Sequence, residues 1–137
     1  MSDLIRFGIS LENSLLKDFD KLIQDKQYAN RSEAIRDLIR NSLVEDEWKK
    51  RKDVAGAVSL VYDHHRRELM NVIVDIQHDY QDTIIASQHV HLDHHNCLEV
   101  IIVKGKSDKI KVLSDKLRAV KGVKHGSLTL TTLGKEL

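Results

Sequence analysis

Three absences limit what this chain of 137 residues can be. Its one cysteine, Cys97, cannot form an internal disulfide, so it is a free thiol, a metal ligand or an intermolecular link. No apolar run approaches the length of a membrane span, and no signal-peptide segment follows Met1. We therefore expect a cytoplasmic protein with one domain or two very small ones, which at this length would rely on oligomerisation.

The chain also lacks a marked excess of positive or negative charge. The formal charge is +1, and residues 1–53 carry eleven basic and eleven acidic side chains. Bulk electrostatics therefore gives no support to nucleic-acid binding, which has to be argued from pattern and local geometry.

The first part of the chain predicts one strand followed by two helices. Residues 4–11 alternate, with one face made of Ile5, Phe7, Ile9 and Leu11. Apolar residues then recur at helical spacing through about Lys26, and Asn30 can cap a second helix with Glu33 as its capping-box partner. A lone strand leaves both edges unpaired, so the simplest solution is a two-fold dimer in which two strands form an antiparallel ribbon.

The rest of the chain predicts a second domain with the order βαββαβ. Residues 45–53 are charged and read as a helix tail and connector, although a solvated helix surface explains the charges equally well. Strands are predicted at 57–62, 83–92, 98–104 and 127–132, and helices at 67–78 and 108–120. This ferredoxin-like arrangement puts two helices on one sheet face and leaves the other face to find a partner. The predicted class is α+β, with domains at residues 1–50 and 54–137.

Potential metal ligands are concentrated in one segment, His78-(x10)-His89-Val90-His91-(x5)-Cys97. Residues i and i+2 of a strand share a face, and a turn centred on His94 would put Cys97 across from His91. Imidazole and thiolate are good ligands for borderline-soft divalent metals. A tetrahedral arrangement would suggest zinc, and a planar one copper or nickel.

Chance is the alternative, because the chain holds eight histidines. His94 and His95 are expected to be solvated turn residues, and His125, before Gly126, a loop or capping residue. The shared face of His89, His91 and Cys97 makes chance a poorer explanation for that set.

A two-stranded ribbon also fits the DNA major groove. Its outer face would present Arg6, which can donate bidentately to guanine, and Ser10. The first turn of the second helix, with Arg31 and Ser32, offers backbone N–H groups to a phosphate. The alternative is that Arg6 and Ser10 are solvent-facing residues of a dimerisation ribbon.

Two motifs resemble a known family. Residues 1–45 resemble ribbon-helix-helix repressors, especially in the run Asn-Arg-Ser-Glu-Ala-Ile-Arg at 30–36. The spacing of His64, His78, His89, His91 and Cys97, followed by Leu98-Glu99, is similar to that of the nickel-responsive regulator (NikR) family. The tail Lys-Gly-Val-Lys-His-Gly at 121–126 is similar too, so the likeness covers nearly the whole chain.

The resemblance implies a homotetramer, a dimer of dimers, in which ribbon-helix-helix dimers flank a core of four ACT-like domains. It implies one Ni²⁺ per subunit in a square plane made by His89, His91 and Cys97 of one chain and His78 of another. Glu99 would orient a ligand from outside the coordination sphere.

The resemblance also implies further contacts. Nickel would order the segment around the helix before His78, so that Arg66 and Arg67 could meet the DNA backbone. A second cation would be held between domains by Glu33 and Asp37 with nearby backbone carbonyls. Gly8 departs from the family, whose members usually carry a polar side chain there, so direct base contact is not expected at that position.

The implied function is a repressor of nickel-uptake genes whose affinity for its double-stranded DNA operator rises on Ni²⁺ binding. The alternative is a ribbon-helix-helix regulator sensing zinc, copper or an amino acid through its ACT-like core. An enzyme is not expected, because four protein ligands leave no position for substrate. No membrane partner is expected.

Overall fold

The computed structural model describes residues 3–135 and residue 137. Along the chain the elements are α1 (Asn13–Asp25), α2 (Arg31–Lys49), β1 (Asp53–Asp63), α3 (Arg67–Asp79), β2 (Ile84–His91), β3 (Asn96–Lys106), α4 (Ser107–Arg118) and β4 (Val123–Leu130). Two compact units are present, one ending at Arg40 and one beginning at Asn41. The boundary falls inside α2, whereas the sequence places its domain boundary between residues 50 and 54. The end of α2 belongs with the second unit because Trp48 is buried in that unit's core.

The first unit has two helices and an extended N-terminal segment. Residues 3–12 form neither helix nor strand in the single chain, because a strand needs a neighbour to take up its backbone hydrogen bonds. The predicted cap of α2 is confirmed, since Asn30 Oδ1 accepts the Glu33 N–H at 2.9 Å. The Glu33 carboxylate itself pairs with Arg36.

The second unit is built on a four-stranded antiparallel sheet with the order β2-β3-β1-β4. The central strand β1 pairs with β3 along its whole length, from Asp53 opposite Lys106 to Asp63 opposite Asn96. Alternate residues of β1 and β3 are buried together with residues of α3 and α4; this core includes Trp48, Val54, Val58, Leu60, Ile73, Ile101, Ile110, Leu113 and Leu117. The predicted βαββαβ order is confirmed.

The opposite face of this sheet is apolar and is not covered by α3 or α4. Ile102 of β3 is 39% exposed and Val90 of β2 is 41% exposed, whereas their neighbour Ile101 on the other face is fully buried. This face is the one that the sequence leaves to find a partner.

Strand β4 begins four residues earlier than predicted. His125 therefore lies in a strand, opposite Val61, and its expected place in a loop is wrong. The longer strand is possible because Gly126 has no side chain: a Cβ there would lie 2.6 Å from Arg118 Cγ. Each helix among residues 3–135 is too short or too polar to span a lipid bilayer.

Candidate metal centre

Three of the four predicted nickel ligands share one face of the sheet. In the register of β2 against β3, His91 lies opposite Cys97 and His89 lies opposite Glu99. Cross-strand partners project to the same side, and here that side is the one on which Cys97 and Glu99 are buried. The rings of His89 and His91 are 5.7 Å apart between centroids.

Cys97 is a buried free thiol. Its Sγ donates to the backbone oxygen of Tyr62 at 3.3 Å. Burial raises the pKa of the Cys97 thiol above its ordinary value. The group is therefore protonated at neutral pH and has to lose its proton before it can ligate a metal.

The Glu99 carboxylate is hydrogen-bonded to side chains of three different elements next to the predicted ligands. Its carboxylate accepts hydrogen bonds from Tyr62 Oη at 2.7 Å, Gln77 Nε2 at 2.9 Å and Ser87 Oγ at 2.7 Å. These donors come from β1, α3 and β2. Burial and the bond to Glu99 raise the pKa of Tyr62, so the phenol stays a donor.

His78 and His91 have other neighbours within the chain. His78 Nδ1 lies 2.6 Å from Gln81 Nε2 at the end of α3. His91 stacks on His64, with 4.1 Å between ring centroids and 2° between planes. Burial lowers the pKa of His64, and its Nδ1 is buried without a hydrogen-bond partner among the described residues.

A different set of potential ligands is already close together. Donor atoms of Asp63, His65 and His95 all lie within 4.8 Å of one another. Among the described residues this is the one such group of three or more, so His78, His89, His91 and Cys97 are not assembled within one subunit. Sequence reasoning missed this set because it treated His95 as a solvated turn residue and gave Asp63 and His65 no role. The signal in the sequence was the run Asp-His-His at 63–65, whereas its place beside the hairpin turn follows from the pairing of β1 with β3.

The predicted DNA-contacting residues are spread over both units. Arg6 and Ser10 are exposed in the extended segment. Ser32 is exposed in the first turn of α2, whereas the Arg31 guanidinium makes two 2.9 Å bonds to Asp20. Arg31 therefore has to give up or share that partner in order to reach a phosphate.

The remaining predicted residues also have defined surroundings. Arg66 and Arg67 are exposed at the start of α3, where the Arg66 guanidinium packs over Gly122. In the first unit the Asp37 carboxylate accepts a hydrogen bond from Tyr28. Asp37, like Glu33 beside Arg36, has a protein partner where a second cation was expected.

In the comparison with known proteins, each unit matches the model of a known family. Residues 5–46 match the model of the ribbon-helix-helix proteins of the copG family, and residues 55–131 match that of the NikR C-terminal nickel-binding domain. Relatives assigned as nickel-responsive regulators include proteins from Syntrophus aciditrophicus (56% identical), Chlorobium limicola (54%) and Pyrococcus horikoshii (52%). Each alignment covers 98% of this chain and 98%, 100% and 99% of the relative, respectively.

Part of this fold also occurs in a distant protein. An uncharacterized protein from Thermotoga maritima superposes with a TM-score of 0.52 at 16% identity, over 58% of this chain and 98% of the other. That likeness concerns the fold alone. The two family models and the full-length relatives go further, and the chain belongs to the nickel-responsive regulator (NikR) family of ribbon-helix-helix transcription regulators.

Proposed function

We propose that this protein represses nickel-uptake genes and that its affinity for operator DNA rises when it binds Ni²⁺. The observation that carries the proposal is the register of β2 against β3, which aligns His89 and His91 with Cys97 and Glu99 on one face. A regulator of this family binds DNA and a metal; it is not an enzyme.

The donor set suits nickel. Two imidazoles and a thiolate from one subunit are ligands that Ni²⁺ accepts. We assign the fourth position to His78 of a neighbouring subunit, as the resemblance to the nickel-responsive regulators implies. This arrangement gives one nickel ion per subunit. Bound there, the ion would supply a cross-link between two chains.

Apolar surface on both units supports assembly into a tetramer. In the first unit a groove of about 1000 Å³ is lined by apolar residues that include Phe7, Ile9, Leu16, Phe19 and Ile35, and also by Arg6, Ser10, Arg31, Ser32 and Arg36. A second copy of this unit would fill it and would pair the two N-terminal segments as a ribbon. The uncovered face of the sheet would join such dimers through their second units.

The ribbon would present Arg6 and Ser10 to base edges in the major groove. The backbone N–H groups at the start of α2, beside Arg31 and Ser32, would hold a phosphate, and Arg66 and Arg67 would contact the DNA backbone. Glu33 and Asp37 remain our candidates for a second cation. A regulator that reads operators acts where the DNA is, so we place the protein in the cytoplasm.

Metal and DNA would be coupled by linkage. Nickel can raise operator affinity only by the factor by which it prefers the DNA-competent arrangement of the subunits. Because Cys97 must lose a proton to ligate, nickel affinity is expected to fall in acid.

Operator binding with and without nickel tests the proposal. In a gel shift with the DNA upstream of its own gene, wild-type protein is expected to bind more tightly when Ni²⁺ is added. Cys97→Ala should keep the fold, lose tight nickel binding and lose the thiolate-to-nickel absorption bands. His125→Ala, which removes an exposed imidazole of β4, is the matched control. Tight nickel binding by Cys97→Ala would overturn the ligand assignment.

Arg6→Ala separates DNA reading from metal binding. We expect operator affinity to fall about tenfold or more, the value of one bidentate contact to guanine, with nickel uptake unchanged. Unchanged operator affinity in the same gel shift would remove Arg6 from the contact surface.

A further inference from the structure

A compact group of metal-binding side chains lies at one end of the sheet, outside the predicted nickel ligands. It is made of Asp63 at the end of β1, His65 in the following loop and His95 in the hairpin between β2 and β3. Asp63 Oδ1 is 3.2 Å from His65 Nδ1. The rings of His65 and His95 are 5.8 Å apart between centroids.

The backbone holds these three residues in place. Asp63 Oδ1 accepts the His65 N–H at 2.9 Å, and Asp93 Oδ1 accepts the His95 N–H at the same distance. The His64 N–H donates to the His95 carbonyl at 3.2 Å and so joins the loop to the hairpin. The two segments that supply the donors are thus connected before any ion binds.

One donor distance already matches that of a metal site. Metal bonds of about 2.0–2.2 Å put neighbouring donor atoms about 3–3.5 Å apart. The pair formed by Asp63 Oδ1 and His65 Nδ1 has this spacing, in a hydrogen bond that a metal ion would replace, and all three donors lie within 4.8 Å of one another. His95 is exposed, so a rotation of its ring can bring its nitrogen in without moving the backbone.

We infer that Asp63, His65 and His95 form a further metal site, separate from the nickel site and from the proposed cation site at Glu33 and Asp37, which takes a divalent first-row transition cation. Two imidazoles and one carboxylate suit Ni²⁺, Zn²⁺ or Cu²⁺ better than Mg²⁺ or Ca²⁺, which favour oxygen ligands alone. Three protein ligands leave positions for water, so the site is open, unlike one closed by four protein donors. It requires neither Cys97 nor a second subunit.

A cation bound here ties the loop before α3 to the β2–β3 hairpin. Both segments are also held by backbone bonds in the folded chain, and binding to the folded state alone stabilises it. Metal bound at this site should therefore raise the melting temperature even when the thiol is missing.

The test counts metal ions on the full-length protein. Wild type, Cys97→Ala, the double variant His65→Ala/His95→Ala and the control His125→Ala are equilibrated by dialysis with Ni²⁺, and separately with Zn²⁺. Bound metal is measured by elemental analysis. Removing two of three ligands should weaken the site by well over tenfold, because loss of a supporting partner alone costs 10–100-fold. Circular dichroism without metal checks that each variant is folded.

We expect wild type and His125→Ala to bind the same amount of metal, and the double variant to bind about one metal ion per subunit less than either. Cys97→Ala should keep the equivalent that the double variant loses and should still be stabilised by added metal. In wild type with Ni²⁺, the imidazole NMR signals of His65 and His95 should shift or broaden together. The inference is overturned if the double variant retains as much metal as wild type, or if Cys97→Ala, which lacks only the thiolate of the nickel site, binds no metal at all.

Discussion

The two units differ in how much of their apolar surface the single chain covers. In the second unit the core residues of β1, β3 and α4 are fully buried. In the first unit α1 has no buried residue, and Phe7 of the N-terminal segment is 72% exposed. Small units bury too little surface to be stable alone, so the comparison indicates that the first unit depends on a partner while the second has a core of its own.

The largest effect is expected from a charge introduced into the N-terminal segment, which should disrupt the dimer of first units and so operator binding. Ile9→Asp replaces an apolar side chain of the proposed dimer groove with a carboxylate, which removes apolar contact area and is costly to desolvate. We expect operator affinity to fall by at least about 100-fold, equivalent to about 2.7 kcal/mol, with nickel binding retained. Gel shift and nickel titration measure both. Gln24→Glu adds the same charge at an exposed position of α1 and should leave operator binding near wild type. Equal effects of the two variants would contradict the groove as a dimer interface.

Two neighbouring isoleucines on β3 sharpen the comparison within the second unit. Ile101 is fully buried against the helices, whereas Ile102 faces the uncovered side. Ile101→Ala should lower the free energy of unfolding by about 2–5 kcal/mol. Ile102→Ala should lower that of the isolated subunit by less than about 1 kcal/mol, but should shift the protein toward smaller assemblies. Urea unfolding and sedimentation measure the two effects. Unchanged assembly of Ile102→Ala would argue against this face as the tetramer interface.

The smallest expected effect concerns the hairpin that carries His91 and Cys97. Backbone N–H groups of Asn96 and His95 lower the pKa of Asp93 to about 2 from its ordinary 3.8. A lowered pKa means that the folded state gains stability above pH 3.8 and loses it as the pH falls toward 2.

The matched substitution is Asp93→Asn. It should lower the melting temperature slightly at neutral pH, and its difference from wild type should shrink between about pH 4 and pH 2. Asp75→Asn, at an exposed site on α3, is the control. A difference that stays constant across this range would show that the Asp93 carboxylate does not stabilise the hairpin.

Sequence patterns predicted the order of the elements because their signals are local. The alternation in β1 and β3 and the helical spacing in α3 and α4 reflect burial on one face, and the Asn30 cap needs only four consecutive residues. The predicted ends of a strand were less accurate where pairing with another strand decides them. The start of β4 depends on β1 and on a close approach that Gly126 allows, and neither is visible in a local window.

The sequence by itself determined the donor types, the strand that aligns His89 with His91, and the family to which the chain is similar. Only the tertiary structure decided that Glu99 joins three elements, and that Asp63, His65 and His95 meet although thirty residues separate the loop from the hairpin. The physical reason is that side-chain periodicity is a property of neighbours in the chain. A group of donor atoms from separate segments exists only after strand register and loop hydrogen bonds bring those segments together.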